Sequence, residues 1–137
     1  MGKAVNAMVR HMDADLQRSG LSDTDFRVLE ALLHKGPLPV NVIGPKVQLT
    51  PGAISVAVDR LQERGLVRRE EGKFDRRVRT VALTKEGERT IVPVYKRHEI
   101  LIARMLEPLT EPQRVSLEDM MKLLGKNAET LGELPTE

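Results

Sequence analysis

The chain has 137 residues, 40% of them hydrophobic and 31% charged, which suits one folded domain or one protomer and argues against disorder throughout. It contains no cysteine, which excludes a disulfide scaffold, a thiolate zinc site, a cysteine nucleophile and a thiol redox switch. Apolar runs are too short to span a bilayer. The polar start, Met1-Gly2-Lys3-Ala4, lacks a secretory pattern, so a cytoplasmic protein with no membrane partner is expected.

The first apolar stripe, Val5, Met8, Val9, Met12 and Leu16, predicts a helix over residues 4–18 that ends at Ser19-Gly20. Ser22 reads as an N-cap, with Asp23 and Asp25 near the positive end of a second helix carrying Phe26, Leu29, Leu32 and Leu33. Gly36-Pro37 stops it. Val40, Ile43 and Val47 suit a brief helix, which Pro45 keeps short or irregular. Thr50 then caps a fourth helix with Pro51 at its first position; Ile54, Val58 and Leu61 form its inner stripe, and Gly65 ends it.

Beyond Gly65 the period changes to that of strands. Leu66–Glu70 and Val78–Leu83 predict a β-hairpin around the polar connection Glu71–Arg77. Thr84 caps a long helix reaching about Leu106, with Pro93 in its early turns and broad apolar coverage. Thr110-Glu111-Pro112-Gln113 is a capping box for a last helix, which Gly125 is expected to end, with a polar tail from Asn127. The fold class is therefore mainly α with a small β-hairpin wing.

Charge is distributed unevenly. The net charge is +2, yet Arg60 through Arg79 alone carries +4 and the remainder −2. Such a local excess fits a polyanion partner. Aromatic residues, at 2%, are too few for a single-strand stacking platform. A helix pair followed by a hairpin can place its second helix in a major groove and the hairpin toward the minor groove. The residues expected to meet duplex DNA are Thr50, Pro51, Gly52, Ala53, Ser55, Val56 and Arg60 on the helix, and Lys73, Asp75, Arg76 and Arg77 on the wing. Arg60 and Arg64, one turn apart, are expected on phosphates, and Asp75 is expected to tether one wing arginine and leave the other free.

Catalysis lacks a constellation. His11, His34 and His98 are scattered, Gly44-Pro45-Lys46 lacks the spacing of a phosphate loop, and no serine has a nucleophile context. No catalytic residue, metal site or cofactor is expected. Met8, His11, Met12 and Tyr95 are the candidates for holding a small effector, against the alternative that the methionines are ordinary core or interface.

The blocks Leu49-Thr50, Leu61, Arg64-Gly65-Leu66-Val67, Asp75-Arg76-Arg77, Val81-Ala82-Leu83-Thr84 and Gly87, in this order, resemble the MarR family of winged helix-turn-helix transcriptional regulators. The resemblance implies a single domain over 1–137, with a DNA-binding module over about 21–87 and dimerisation helices over about 1–20 and 88–127. It also implies an obligate, triangular homodimer on a pseudo-palindromic duplex, usually a repressor. In many members a small phenolic, lipophilic or oxidising ligand releases the DNA. Val56 stands where relatives often carry a polar, aromatic or basic reader, Pro45 is unusual, and the missing cysteine removes thiol oxidation. The alternative is a winged-helix protein–protein adaptor without a DNA target; for the terminal helices it is a monomer whose helices fold back on the winged module.

Overall fold

A computed structural model describes residues 1–72 and 74–131. Lys73 and the last six residues lie outside that description. The elements, in chain order, are α1 (Gly2–Arg18), α2 (Asp23–Lys35), β1 (Leu38–Pro39), α3 (Val40–Lys46), α4 (Pro51–Glu63), β2 (Val67–Glu71), β3 (Arg79–Leu83), α5 (Lys85–Leu106) and α6 (Glu111–Thr130). The chain divides within α5 into a larger unit, Met1–Leu101, and a smaller one beginning at Ile102. No described helix is long and apolar enough to cross a membrane.

Local chemistry explains most boundaries. The Ser22 hydroxyl accepts from the Asp25 amide at 3.1 Å, and the Asp25 carboxylate accepts from the Ser22 amide at 3.3 Å, a reciprocal cap that starts α2. The Thr50 hydroxyl accepts from the Ala53 amide at 3.2 Å to start α4. At the other end of α4, Gly65 takes φ +74°, where an L side chain would be strained, and its amide donates to the Gln62 carbonyl at 2.9 Å. The Thr84 hydroxyl accepts from the Gly87 amide at 3.0 Å and donates to the Gly65 carbonyl at 2.6 Å, so one side chain starts α5 and fixes it to the end of α4.

The predicted hairpin forms, with β2 displaced by one residue at both ends and β3 starting one residue later but ending at Leu83 as expected. Its register pairs Val67 with Leu83 and Glu71 with Arg79. A third strand, which the sequence does not announce, completes an antiparallel sheet in the order β1-β3-β2. It is only two residues long, with Pro39 opposite Thr80. Proline has no N–H for a ladder, and the edge of the sheet is where that omission is tolerated. The helix α3 is short, as Pro45 requires, and its Gly44 lets the following turn come close: a Cβ there would sit 3.2 Å from the Leu49 carbonyl oxygen.

The larger unit has one apolar core, in which Val28, Leu29, Ile43, Ile54, Val58, Leu61, Val67, Val81 and Ile91 are essentially inaccessible. It joins the helix pair, the sheet and the first half of α5. His98 of α5 is buried too, its ring 4.5 Å from that of Phe26 and its Nε2 3.5 Å from the Asp15 carboxylate of α1. Arg97 donates to the same carboxylate from Nε at 3.0 Å, so α1 is tied to α5 by charge as well as by Leu16.

In the smaller unit, the expected stop at Gly125 does not occur: α6 continues to Thr130. A solvent-facing glycine costs a helix about 1 kcal/mol, too little to end one whose flanking residues favour it. Within this unit the Arg114 Nε donates to the Leu106 and Leu109 carbonyls at 3.2 and 3.1 Å, closing the turn before α6. The helix itself buries none of its residues.

Candidate nucleic-acid interface

The helix α4 turns its stripe of Ile54, Ala57, Val58 and Leu61 into the core. The remaining positions follow from the helical period. Thr50, Pro51, Gly52, Ala53, Ser55 and Val56 are all exposed, forming a narrow, small-residue end that can enter a groove about 12 Å wide. Val56 is 62% exposed and has only methyl groups to present. The Thr50 hydroxyl occupies the Ala53 amide, so the helix start keeps the Gly52 amide and the positive end of its dipole for an anion.

The basic run resolves into two classes of arginine. Arg60, Arg64, Arg68 and Arg69 each hold an acidic partner within the chain. Arg60 and Arg64, expected on phosphates, instead converge on Asp25, whose side chain is 4% exposed. The Arg60 Nε donates to Oδ1 at 3.2 Å, and the Arg64 Nη1 donates to Oδ2 at 3.3 Å. The sequence did hold a signal for this: Asp25 lies at the i−4 and i−7 positions of the buried Leu29 and Leu32, and an acid on an inward stripe needs a cation. Arg69 of β2 donates to Asp59 at 2.6 Å and also to Gln62, locking the hairpin onto α4. Arg68 donates to the Leu83 carbonyl at 2.6 Å across the hairpin.

The second class is at the wing. Among the described residues Arg76, Arg77 and Arg79 have no acidic partner, and all three are exposed. Asp75 does not hold a guanidinium, contrary to expectation. Its Oδ1 accepts from the Arg77 backbone amide at 2.9 Å, because the short side chain of an aspartate at a turn reaches the amide two residues on. Both neighbouring arginine side chains are thereby left to solvent. The Gly72 amide donates to the Val78 carbonyl at 2.7 Å, closing the loop that carries them. Phe74, which the sequence reading passed over, is fully exposed beside these arginines. Lys73 lies outside the described residues.

The effector candidates are not linked to one another by a hydrogen bond or ring contact among the described residues. Met8 and His11 are exposed on α1 and Met12 is half-buried there. Tyr95 of α5 meets the His34 ring of α2 edge-on at 4.7 Å. Burial raises the Tyr95 phenol above its usual range, and the nearby Glu99 and Glu30 carboxylates push the same way. No described group of three His, Cys, Asp or Glu side chains is placed to hold a metal.

A core-packed helix with a small, exposed start, followed by a three-stranded sheet ending in an arginine-tipped loop, defines a winged helix-turn-helix protein. A model of the MarR family matches residues 19–78. The HTH-type transcriptional regulator MhqR of Bacillus subtilis (strain 168) is 33% identical over 128 residues, 93% of this chain and 88% of its own length. The HTH-type transcriptional repressor MdtR of the same organism is 30% identical over 115 residues, 84% of this chain and 74% of its own. Among solved structures, Sco3205, a MarR family transcriptional regulator from Streptomyces coelicolor in complex with DNA, matches with a TM-score of 0.80 at 26% identity, covering 91% of this chain and 81% of that one. AbsC, a MarR family transcriptional regulator from the same organism, shares the fold with a TM-score of 0.83 at 21% identity, over 94% of this chain and 89% of its own. The chain belongs to the MarR family of helix-turn-helix transcriptional regulators.

Proposed function

We propose that the protein acts as a non-catalytic, cytoplasmic homodimer that represses transcription from a pseudo-palindromic operator and lets go when a small phenolic or lipophilic effector binds. Residues 50–56 of each protomer sit in the major groove, with Val56 against a thymine methyl group. Arg76 and Arg77, with Lys73, follow the backbone into the minor groove, while Asp75 sets the loop that presents them. Residues 1–20 and 88–127 pair the protomers. Met8, His11, Met12 and Tyr95 bear on the effector.

The observation that carries the DNA reading is the division of the arginines. Those on the body of the module are spent on internal carboxylates, and those on the wing tip, Arg76 and Arg77, have none among the described residues. Phosphate neutralisation releases counter-ions, with log K falling by about 0.9 per contact against log salt. Replacing Arg76 or Arg77 by Ala should weaken binding to a duplex selected from a random pool and flatten that slope by about one per residue. Circular dichroism should be unchanged. If both variants bind as the wild type does, the wing has no part in recognition; if the wild type retains every duplex equally weakly, the adaptor reading takes over.

A further inference from the structure

The Asp25 carboxylate joins two segments that lie thirty-five or more residues apart in sequence, the start of α2 and the end of α4. It belongs to the first turn of α2, where it accepts from the Ser22 amide. From α4 its Oδ1 receives the Arg60 Nε at 3.2 Å and a second bond from the Arg60 Nη2, and from the residue that caps the helix its Oδ2 receives the Arg64 Nη1 at 3.3 Å. Arg64 goes on to donate from Nη2 to the Gly20 carbonyl at 3.0 Å, at the turn between α1 and α2. The Asp25 side chain is almost wholly buried, while the Arg60 and Arg64 side chains remain 43% and 38% exposed.

We infer that Asp25 is a positioning residue for DNA recognition, acting through Arg60 and Arg64: it orients the recognition helix α4 and withholds two positive charges from the phosphate backbone. The geometry gives it both tasks. Arg60 stands nine residues beyond Pro51, about 13 Å along a helix that rises 1.5 Å per residue. The clamp thus grips the end of α4 remote from the groove, and a small rotation there displaces the start of the helix by a comparable amount. Forked guanidinium groups fix direction as well as distance. The electrostatic task follows from exposure. Arg60 on α4 and Arg64 just past its end border solvent, and although they stand away from the helix start, two unheld cations on long side chains would be attracted to the phosphate backbone of any sequence. Non-specific binding is made of such contacts. A buried counter-ion lowers that background without touching the residues that face the bases. The specificity ratio between operator and bulk DNA is what matters to a regulator, and Asp25 raises it from the non-specific side.

This inference rests on the duplex-DNA reading, and the two fail separately: wild-type binding to DNA tests that reading, whereas only the difference between variants tests this one. The first experiment is Asp25→Asn, which keeps the shape of the side chain and removes its charge. Binding to an unrelated duplex should tighten severalfold and its salt slope should steepen by one to two, about 0.9 for each arginine released to a phosphate. The ratio of operator to non-specific affinity should fall at least tenfold. Later elution from heparin, a polyanion without sequence, should accompany it. Weaker binding to all duplexes at an unchanged slope would reduce Asp25 to a purely structural residue and overturn the inference. Should Asp25→Asn fail to fold, the Arg60→Gln, Arg64→Gln double variant decides. With both charges already committed internally, its non-specific salt slope should equal that of the wild type; a slope flatter by about two would place both arginines on DNA and refute the proposal.

Discussion

At Gly87 the first turn of α5 passes so close to the end of α4 that a Cβ would sit 1.9 Å from the Leu66 carbonyl oxygen. That oxygen is backbone and already accepts from the Thr84 amide at 3.1 Å, so it cannot give way without opening the joint between wing and helix. Gly87→Ala should therefore cost at least about 3 kcal/mol, at the upper end for overpacking, read as a lower urea midpoint. A midpoint shift within error would mean that α5 enters by another path. Tyr95 provides a second test at this scale, and a clean one, because the chain has one tyrosine and no tryptophan. Burial, then the Glu99 carboxylate, holds its phenol above the ordinary value of about 10. A folded-state pKa above the unfolded one gives stability that is complete below the unfolded value and lost as pH rises through the folded one. The phenolate absorbance should thus titrate above the ordinary value, with the fold weakening in the same alkaline range. Glu99→Gln should bring the midpoint down; a midpoint that does not move would remove Glu99 as a cause.

At the scale of elements, the hairpin and α4 move as one body only if something other than Leu66 joins them. Arg69 on β2 reaches Asp59 at 2.6 Å, with side chains 27% and 62% exposed. A half-exposed pair of this kind is worth about 0.5–1 kcal/mol. A double-mutant cycle of Asp59→Ala and Arg69→Ala should return a coupling energy of that size in urea unfolding; additivity would show the pair to be a bystander. What was legible in the sequence at this level followed rules that act within a few residues. Ser22, Thr50-Pro51 and Gly65 mark helix ends because a cap or a positive φ is a local requirement, and Pro45 shortened α3 for the same reason. What was not legible depended on partners distant in the chain. The strand β1 is two residues whose only claim to being a strand is Val81 and Thr80 beside them. Asp25 on the inward stripe signals that a cation is needed but not which one, because Arg60 and Arg64 lie thirty-five and thirty-nine residues on. At the wing Asp75 was expected to hold an arginine side chain, but it accepts from the Arg77 backbone amide, an interaction that a count of charges does not register. Helix α6 overran Gly125 because one unfavourable residue does not outweigh its neighbours.

For the whole molecule the decisive feature is a long helix that buries none of its own residues. Helix α6 has 20 residues, none of them buried, and Leu117, Met120, Met121 and Leu124 share one face at steps of three and four. Glu118 and Lys122 lie off that stripe, paired at 2.6 Å, each raising the other's preference for the charged state. A helix of about 30 Å with an apolar stripe in water gains little by itself; most helical stability comes from burying such a face. Met8 and Val9 of α1 and Ile100 and Ile102 of α5 are exposed as well. On the reading proposed above, a second copy of the chain covers these faces. Placing a charge within the stripe by Met121→Asp or Leu124→Asp should then convert a species of twice 15.4 kDa into one of 15.4 kDa in sedimentation. It should leave the caps of the larger unit, and so the winged module, folded. Operator affinity should fall a hundredfold or more, since linking two half-site contacts contributes about 10²–10⁴ without any new contact. Binding to a single half-site should hardly change. Variants that sediment as the wild type and still grip a two-fold site would show that the dimer, and with it the spacing of about 34–36 Å between half-sites, is built on another face.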